Sequence, residues 1–394
     1  MSKKTRILFF TDIHFGIHAN SQKYLDICKN TMTWIRDVAK QRNVDAVLFG
    51  GDYFDSRSSI DVKTMNIATE SLYMLANEGF PVSMILGNHD LYLRDSTSIH
   101  SLIAYGGHKN VRIVDKPIFC DNSVLILPWE YNSLEQLKGV DVKNIKYVFC
   151  HNNFPKTFFF NYGRGKTVVK SKKSDTNTSS SFLEEFGLSD DLMNGIIKNG
   201  GKIISGHIHQ NQIIPLGNKS ELIIAGSPYE TEYGFGDVKC GVYIIDIDSD
   251  TVEFVENPYN VRHIEVKTSN SSHDLTKEFI EGAFVRLKVD THESFENISK
   301  MQHTIANCNP YHIFNTIFDF ASCPFGGRRN VEENPLQSLN AKTVSSKLDY
   351  IIAAIDKADF NEFSYFDADS NTINVDKNVV KAIATEICEK AGAR

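Results

Sequence analysis

The chain has 394 residues, more than one ordinary core accommodates, so two or three domains are expected. It is 41% hydrophobic and 23% charged, and the absence of any run of eighteen apolar residues excludes a transmembrane helix. Its formal net charge of -7 excludes a globally basic nucleic-acid binder; contact with nucleic acid would rest on a local patch, a partner or bound cations. The start, MSKKTRILFFTD, holds too short an apolar run for a signal peptide. Seven cysteines (28, 120, 150, 240, 308, 323 and 388) are scattered and form no C-x-x-C pair. That pattern points to a reducing cytoplasm, of a bacterium or an infected host cell, and away from disulfides or a thiolate zinc site.

In chain order, RILFF (6–10) reads as a buried strand. Residues 20–42 follow as a helix, with Tyr24, Ile27, Cys28, Met32, Ile35 and Val38 at helical spacing. DAVLFGGD (45–52) is a second strand, 61–78 a helix with Met65, Ala68, Leu72 and Leu75 on one face, and PVSMILGNHD (81–90) a third strand. This alternation predicts right-handed crossovers and a sheet that starts parallel. Shorter strands at 124–129, 147–151, 202–205, 221–226, 241–248 and 251–256 predict a second sheet packed on the first, an α/β sandwich flanked by helices. Residues 163–181 are rich in Lys, Ser and Thr and read as a loop. Its GRGKT is no phosphate loop, because Phe160 stands where a glycine is required.

A small α+β unit is expected at 263–323, with strands near 283–290 and 311–320 around a helix at 293–306. A linker at 324–340 and two amphipathic helices near 341–357 and 376–390 complete the chain. Between those helices, 367–378 has Asp367, Asp369 and Asn371 at calcium-loop spacing but lacks the Gly and the final Glu, so it reads as a surface turn.

The chemistry gathers at strand ends, where open α/β sheets bind ligands. Asp12 and His14 follow the first strand, Asp52 and Asp55 the second, Asn88, His89 and Asp90 the third. His151 ends the strand at 147–151, and His207 and His209 follow KIIS. Any one of these could be a turn residue or a helix cap. Together they suit two divalent cations about 4 Å apart, whose mutual repulsion a shared carboxylate offsets. Asp52 is the natural bridge; Asp12, His14 and His209 complete one cation site, and Asn88, His151 and His207 the other. Four imidazoles among oxygen ligands favour Mn²⁺, Fe²⁺ or Zn²⁺ over Mg²⁺.

The order D-x-H, G-D-x-x-D, G-N-H-D, H, G-H-x-H resembles the calcineurin-like metallophosphoesterase superfamily, and over residues 1–262 the SbcD-type recombination nucleases of phages in particular. LILPWE (125–130) and the C-terminal layout are also similar to those proteins. The resemblance implies a metallophosphoesterase sandwich, a nuclease domain at 1–262, a cap at 263–323 that recognises DNA, and helices at 341–394 that dock on an SMC-like ABC ATPase of SbcC type. It implies His89 as the catalytic acid, Asp90 as its orienting partner, two cations with Mn²⁺ leading, and hydrolysis of DNA phosphodiesters. It also implies a homodimer, with helix 64–80 or a helix at 96–104 as the interface. Asp55 stands where archaeal and eukaryotic branches carry a histidine.

Arg57 and the loop cations Arg164, Lys166, Lys170, Lys172 and Lys173 are candidate DNA contacts; a solvated loop is the alternative. Two rival functions are a phosphatase or small phosphodiesterase, and a non-catalytic scaffold on the same fold. Phosphatase relatives carry G-D-x-x-D-R-G and G-N-H-E, whereas here Ser56 replaces the arginine and the third motif is GNHD. A scaffold would have lost ligands, and this chain keeps the whole set.

Overall fold

The computed structural model describes residues 5–93, 96–120, 123–129, 143–153, 190–268, 275–290, 295–314 and 317–319, with isolated positions between 365 and 385. The chain divides into two compact units, Met1–Lys288 with Phe295–Ile317, and Val289–Ser294 with Phe318–Arg394.

The first unit contains β1 (Arg6–Phe10), β2 (Ala46–Phe49), β3 (Val82–Ile85), β4 (Leu91–Leu93), β5 (Ser96–His100), β6 (Val111–Val114), β7 (Ile118–Cys120) and β8 (Val124–Leu127). Then come β9 (Tyr147–His151), β10 (Lys202–Gly206), β11 (Gln212–Gly217), β12 (Ser220–Ile224), β13 (Gly241–Asp246) and β14 (Thr251–Glu256). Two six-stranded sheets result, in the orders β14-β13-β1-β2-β3-β6 and β11-β12-β10-β9-β8-β7. In the first, β1, β2, β3 and β6 run parallel, with β13 antiparallel to β1 and β14 antiparallel to β13 at one side. In the second, β8, β9, β10 and β12 run parallel, with β7 and β11 antiparallel at the edges. This is the expected mixed α/β sandwich.

Why the strands read as unbroken apolar runs is now clear: both faces of each central strand are covered. In β1, Leu8 and Phe10 face the helices while Phe9 faces the second sheet. In β10, Ile203 faces the Asp190–Lys198 helix and Ile204 the first sheet. The inter-sheet core joins Phe9, Leu48 and Ile85 to Phe149, Ile204 and Ile223. Each such side chain, fully withdrawn from water, contributes about 1.5–3 kcal/mol.

The Gln22–Gln41 helix lays Tyr24, Leu25, Cys28, Met32, Ile35 and Ala39 on the first sheet. The Val62–Ala76 helix beside it begins where Asp61 caps the amides of Lys63 and Thr64, at 2.9 and 3.3 Å. No helix among the described residues is long and apolar enough to cross a membrane.

The helix expected at 96–104 is not present. Leu91–Leu93 and Ser96–His100 form an antiparallel hairpin, followed by a 3-10 turn at Ser101–Tyr105. Ser, Thr and Ser in a row are poor helix formers, and Ser101 N donates to the Asp90 carbonyl at 2.8 Å, which fixes the chain's return.

Toward the end of the first unit, β15 (His263–Lys267), β16 (Phe284–Asp290) and β17 (His312–Ile313) pair in parallel, with a helix at Phe295–Asn307. The sequence showed the second of these strands and the helix but not β15, and the strand read at 311–320 is two short ones, His312–Ile313 and Ile317–Asp319. The linker at 324–340, the helix at 341–357 and the loop at 163–181 lie outside the described residues.

Candidate metal centre

The loops after β1 and β2 are laced together. Asp12 N donates to Gly51 O at 2.9 Å, His14 N to Asp52 O at 3.1 Å and Phe15 N to Tyr53 O at 2.8 Å. This pairing brings the first two motifs side by side. His207 N then donates to Asp12 Oδ2 at 3.1 Å, which ties the end of β10, in the other sheet, to the end of β1.

Close approach requires glycine, most plainly at positions 87 and 51. A Cβ on Gly87 would fall inside the Asp52 carboxylate, and one on Gly51, which sits at φ 108°, would fall on the His151 ring. Four non-glycine residues are also held in the left-handed region: Asp12 (φ 55°), His14 (50°), Asp52 (61°) and His207 (82°). Each costs on the order of 1–3 kcal/mol and persists only because the surrounding pairing over-determines it.

Two groups of ligand atoms result. In one, His14 Nε2 lies 3.7 Å from Asp12 Oδ1 and 3.0 Å from His209 Nε2, which is itself 3.9 Å from Asp12 Oδ1. In the other, Asn88 Oδ1 lies 3.1 Å from His151 Nε2 and 2.8 Å from His207 Nδ1, and His151 Nε2 lies 3.2 Å from Asp52 Oδ2. Asp52 Oδ2 is also 3.7 Å from His14 Nε2, so it stands between the groups. All seven expected ligands converge.

The donor set fits divalent cations. His151 Nδ1 gives its proton to the Gly50 carbonyl at 2.7 Å, so Nε2 is the nitrogen turned on the oxygens of Asp52 and Asn88. Asp12 Oδ1 is buried with no hydrogen-bond partner. Donor atoms turned on one another in this way need a shared positive centre between them, a proton or a metal cation. Two ligands at about 2.1 Å from a metal and roughly at right angles stand about 3 Å apart, which matches the His14–His209 spacing.

The electrostatics describe the protein stripped of cations. Burial opposes a charged His14, but the carboxylates of Asp12 and Asp55 outweigh it and push its pKa up to about 10. Burial likewise opposes a charged His151, and Asp52 raises it to about 9. Burial would raise Asp52, yet His151, His14 and His89 hold it well below the usual carboxylate range. Burial, and then the neighbouring His151, pull His207 down to about 4, and burial followed by His14 lowers His209.

His14 and His151 bind protons more tightly in the metal-free fold than when unfolded, so that stabilisation is complete below pH 6.5 and is lost as pH rises through about 9 and about 10. A cation bound at these nitrogens would have to displace those protons. Calorimetric titration with Mn²⁺ at pH 7, in buffers of different ionisation enthalpy, therefore shows close to two protons released at saturation and tighter binding as pH rises. Proton uptake, or none, would contradict these ligands.

His89 stands edge-on to His14 with ring centroids 4.9 Å apart. Its backbone N donates to Asp52 Oδ1 at 2.8 Å, and its Nδ1 bonds the Asp55 carbonyl. Asp90 is not its orienting partner, which corrects the expectation. The buried Asp90 carboxylate turns away and accepts from the amides of Asp52 and Gly87 at 2.9 Å and Tyr53 at 3.0 Å, clamping the second motif to the third. Burial and the Asp52 charge raise its pKa to about 7.

Asp55 proves closer to the centre than its motif suggested, with Oδ1 3.5 Å from His14 Nδ1. The Trp129 ring, from the LILPWE stretch, lies 4.8 Å from the His207 ring and walls that side. Arg57 is half-buried two residues beyond Asp55, and the loop cations at 164–173 lie outside the described residues. Sequence reasoning missed Thr231, whose hydroxyl is 3.1 Å from His209 Nδ1. The available signal was its place after β12, one more strand of the second sheet whose end points to the same region.

A two-sheet α/β sandwich with Asp, Asn and His ligands gathered at its strand ends is the architecture of a metallophosphoesterase. Residues 5–211, more than half of the chain, match the Calcineurin-like phosphoesterase family, and the chain belongs to it. It is 25% identical over 261 residues to Exonuclease subunit 1 of Enterobacteria phage T4, covering 64% of this chain and 68% of that protein. It is 34% identical over 97 residues to the DNA double-strand break repair protein Mre11 of Archaeoglobus fulgidus, covering 24% of this chain and 21% of that one. The chain is thus a hydrolase of the phosphoesterase superfamily with nucleases among its relatives.

Proposed function

We propose that the chain is the nuclease subunit of an SbcCD-type recombination and repair complex, hydrolysing DNA phosphodiester bonds. The observation that carries this reading is the placement of His89 beside two converging ligand groups that share Asp52. The phage exonuclease subunit and the Mre11 protein among its relatives support a DNA substrate.

Asp12, His14 and His209 would hold one divalent cation and Asn88, His151 and His207 the other, with Asp52 available to both and Mn²⁺ the leading metal. When bound, such cations supply Lewis-acid activation of water and neutralise the phosphate charge. The chain's own residues do the rest. His89, held through Nδ1 by the Asp55 carbonyl, presents Nε2 to the leaving 3′ oxygen and gives it a proton. Asp90 keeps the second and third motifs in register, so that His89 and Asp52 stay at fixed separation. Trp129 and the cluster of imidazoles limit water on the His207 side.

The direct test is cleavage of end-labelled linear duplex and single strands with Mn²⁺, compared with p-nitrophenyl phosphate esters. Turnover confined to the small esters would assign a phosphatase instead.

The reading extends to parts of the chain beyond the site. Residues 263–323 act as the cap that engages DNA, and the 341–394 segment docks on an SMC-like ABC ATPase. The protein works as a homodimer in the cytoplasm of a bacterium or infected host. ATPase co-purifying with a chain ended at residue 325 would speak against that docking. Lys166, Lys170, Lys172 and Lys173 bind DNA phosphates. Replacing all four with alanine lowers the slope of log affinity against log salt by roughly 0.9 for each duplex phosphate that is no longer neutralised. An unaltered slope in filter-binding assays at several salt concentrations would remove the loop from the interface.

A further inference from the structure

His151 and His209, one from each ligand group, are anchored at Nδ1 by different chemistry. His151 Nδ1 faces the Gly50 carbonyl at 2.7 Å, an acceptor and never a donor. That bond alone keeps a proton on Nδ1 and leaves Nε2 as the nitrogen that a cation would meet. His209 Nδ1 faces the Thr231 hydroxyl at 3.1 Å instead. A hydroxyl can accept or donate, so the His209 tautomer depends on how that one O–H is turned.

Thr231 is placed for this task with some care. It is 1% exposed, and its own carbonyl bonds His18 Nε2 at 2.7 Å. His18 sits on a turn in which three successive non-glycine residues, His18, Ala19 and Asn20, have left-handed φ of 54°, 56° and 59°. Such a run costs roughly 1–2 kcal/mol per residue. It is held at both ends, by the His18–Thr231 bond and by Thr64 Oγ1 donating to Asn20 Oδ1 at 2.8 Å. On the other side, Ser227 N bonds the His209 carbonyl at 2.8 Å and Ser227 Oγ bonds the Asp12 carbonyl at 2.9 Å. The 227–231 stretch is thereby fixed against two ligand-bearing loops at once.

We infer that Thr231 is the positioning residue of one cation site only. Its hydroxyl accepts the His209 Nδ1 proton, turns the Nε2 lone pair toward Asp12 and His14, and so sets the affinity of that site independently of the other. The inference rests on the two-cation reading above. It goes beyond it in making the two sites unequal: one histidine is locked by the backbone, the other by a side chain that a single substitution removes. Outer partners of this kind are worth about 10–100-fold in metal affinity.

The test is calorimetric Mn²⁺ titration of the full chain, with bound metal counted after gel filtration. Thr231→Val keeps the shape and removes the hydroxyl. It should bind one cation as the wild type does and the second about 10–100-fold more weakly. Thr231→Ser keeps the hydroxyl and should restore both. Thr231→Ala removes the same hydroxyl without adding a methyl group and serves if the valine variant does not fold. Two cations of wild-type affinity in the hydroxyl-free variants would overturn the inference. So would equal weakening in Thr231→Ser, which would make the role one of packing. A wild-type chain that binds no cation would sink the two-cation reading itself, a result distinct from either.

Discussion

Replacing His89 with asparagine lowers turnover on linear duplex DNA by about 10²–10⁴-fold, the contribution of a general acid, while both cations remain bound. The geometry separates the two effects. His89 supports Asp52 through its backbone N, which donates to Oδ1 at 2.8 Å, and that bond survives any side-chain change. Among the described residues its ring lies edge-on to His14 and hydrogen-bonds the Asp55 carbonyl. Asparagine can keep a hydrogen bond to that carbonyl, but it cannot hold and release a proton near neutral pH. Single-turnover cleavage and metal content, measured on the same preparation, check the prediction. Unchanged turnover would remove His89 from the chemistry, and loss of metal would make it a ligand.

Asp52→Asn should do comparable damage to turnover, and of a different kind. Asp52 Oδ2 lies 3.2 Å from His151 Nε2 and 3.7 Å from His14 Nε2, so one oxygen serves both ligand groups. The amide removes the negative charge that offsets repulsion between paired cations, a loss of several kcal/mol, or on the order of 10³-fold in rate at 1.36 kcal/mol per decade. A thermal melt gives an independent readout. Saturating Mn²⁺ at about 100 times its Kd stabilises a binding fold by about 2.7 kcal/mol, and the melting temperature of the wild type rises accordingly. The variant should show little of that rise. An equal rise in both proteins would show that Asp52 is no ligand.

The candidate ligands were legible because of where they fall. Asp12, Asp52, Asn88, His151 and His207 are polar, metal-binding types placed at the ends of runs such as RILFF and KIIS, where burial otherwise favours apolar residues. Two-sided burial of the strands was equally plain, since Leu8, Phe9 and Phe10 cannot all face one core. The partner of a side chain was not. Asp90 follows His89 directly, yet its carboxylate turns to three backbone amides that only the packed loops bring together. Thr231 reads as an ordinary loop residue, and nothing local says that it meets His209 across 22 positions. The helix read at 96–104 gives way to the 91–100 hairpin because Leu91 pairs with His100 and Leu93 with Ser96, contacts that apolar spacing alone does not show.

The left-handed backbone at Asp12, His14, Asp52 and His207 carries one more consequence. An unfolded chain seldom visits that region at any one of these positions, and almost never at all four together. The paired strands, which hold those four backbones in place, are therefore the template on which the Asp, Asn and His atoms of the centre are assembled.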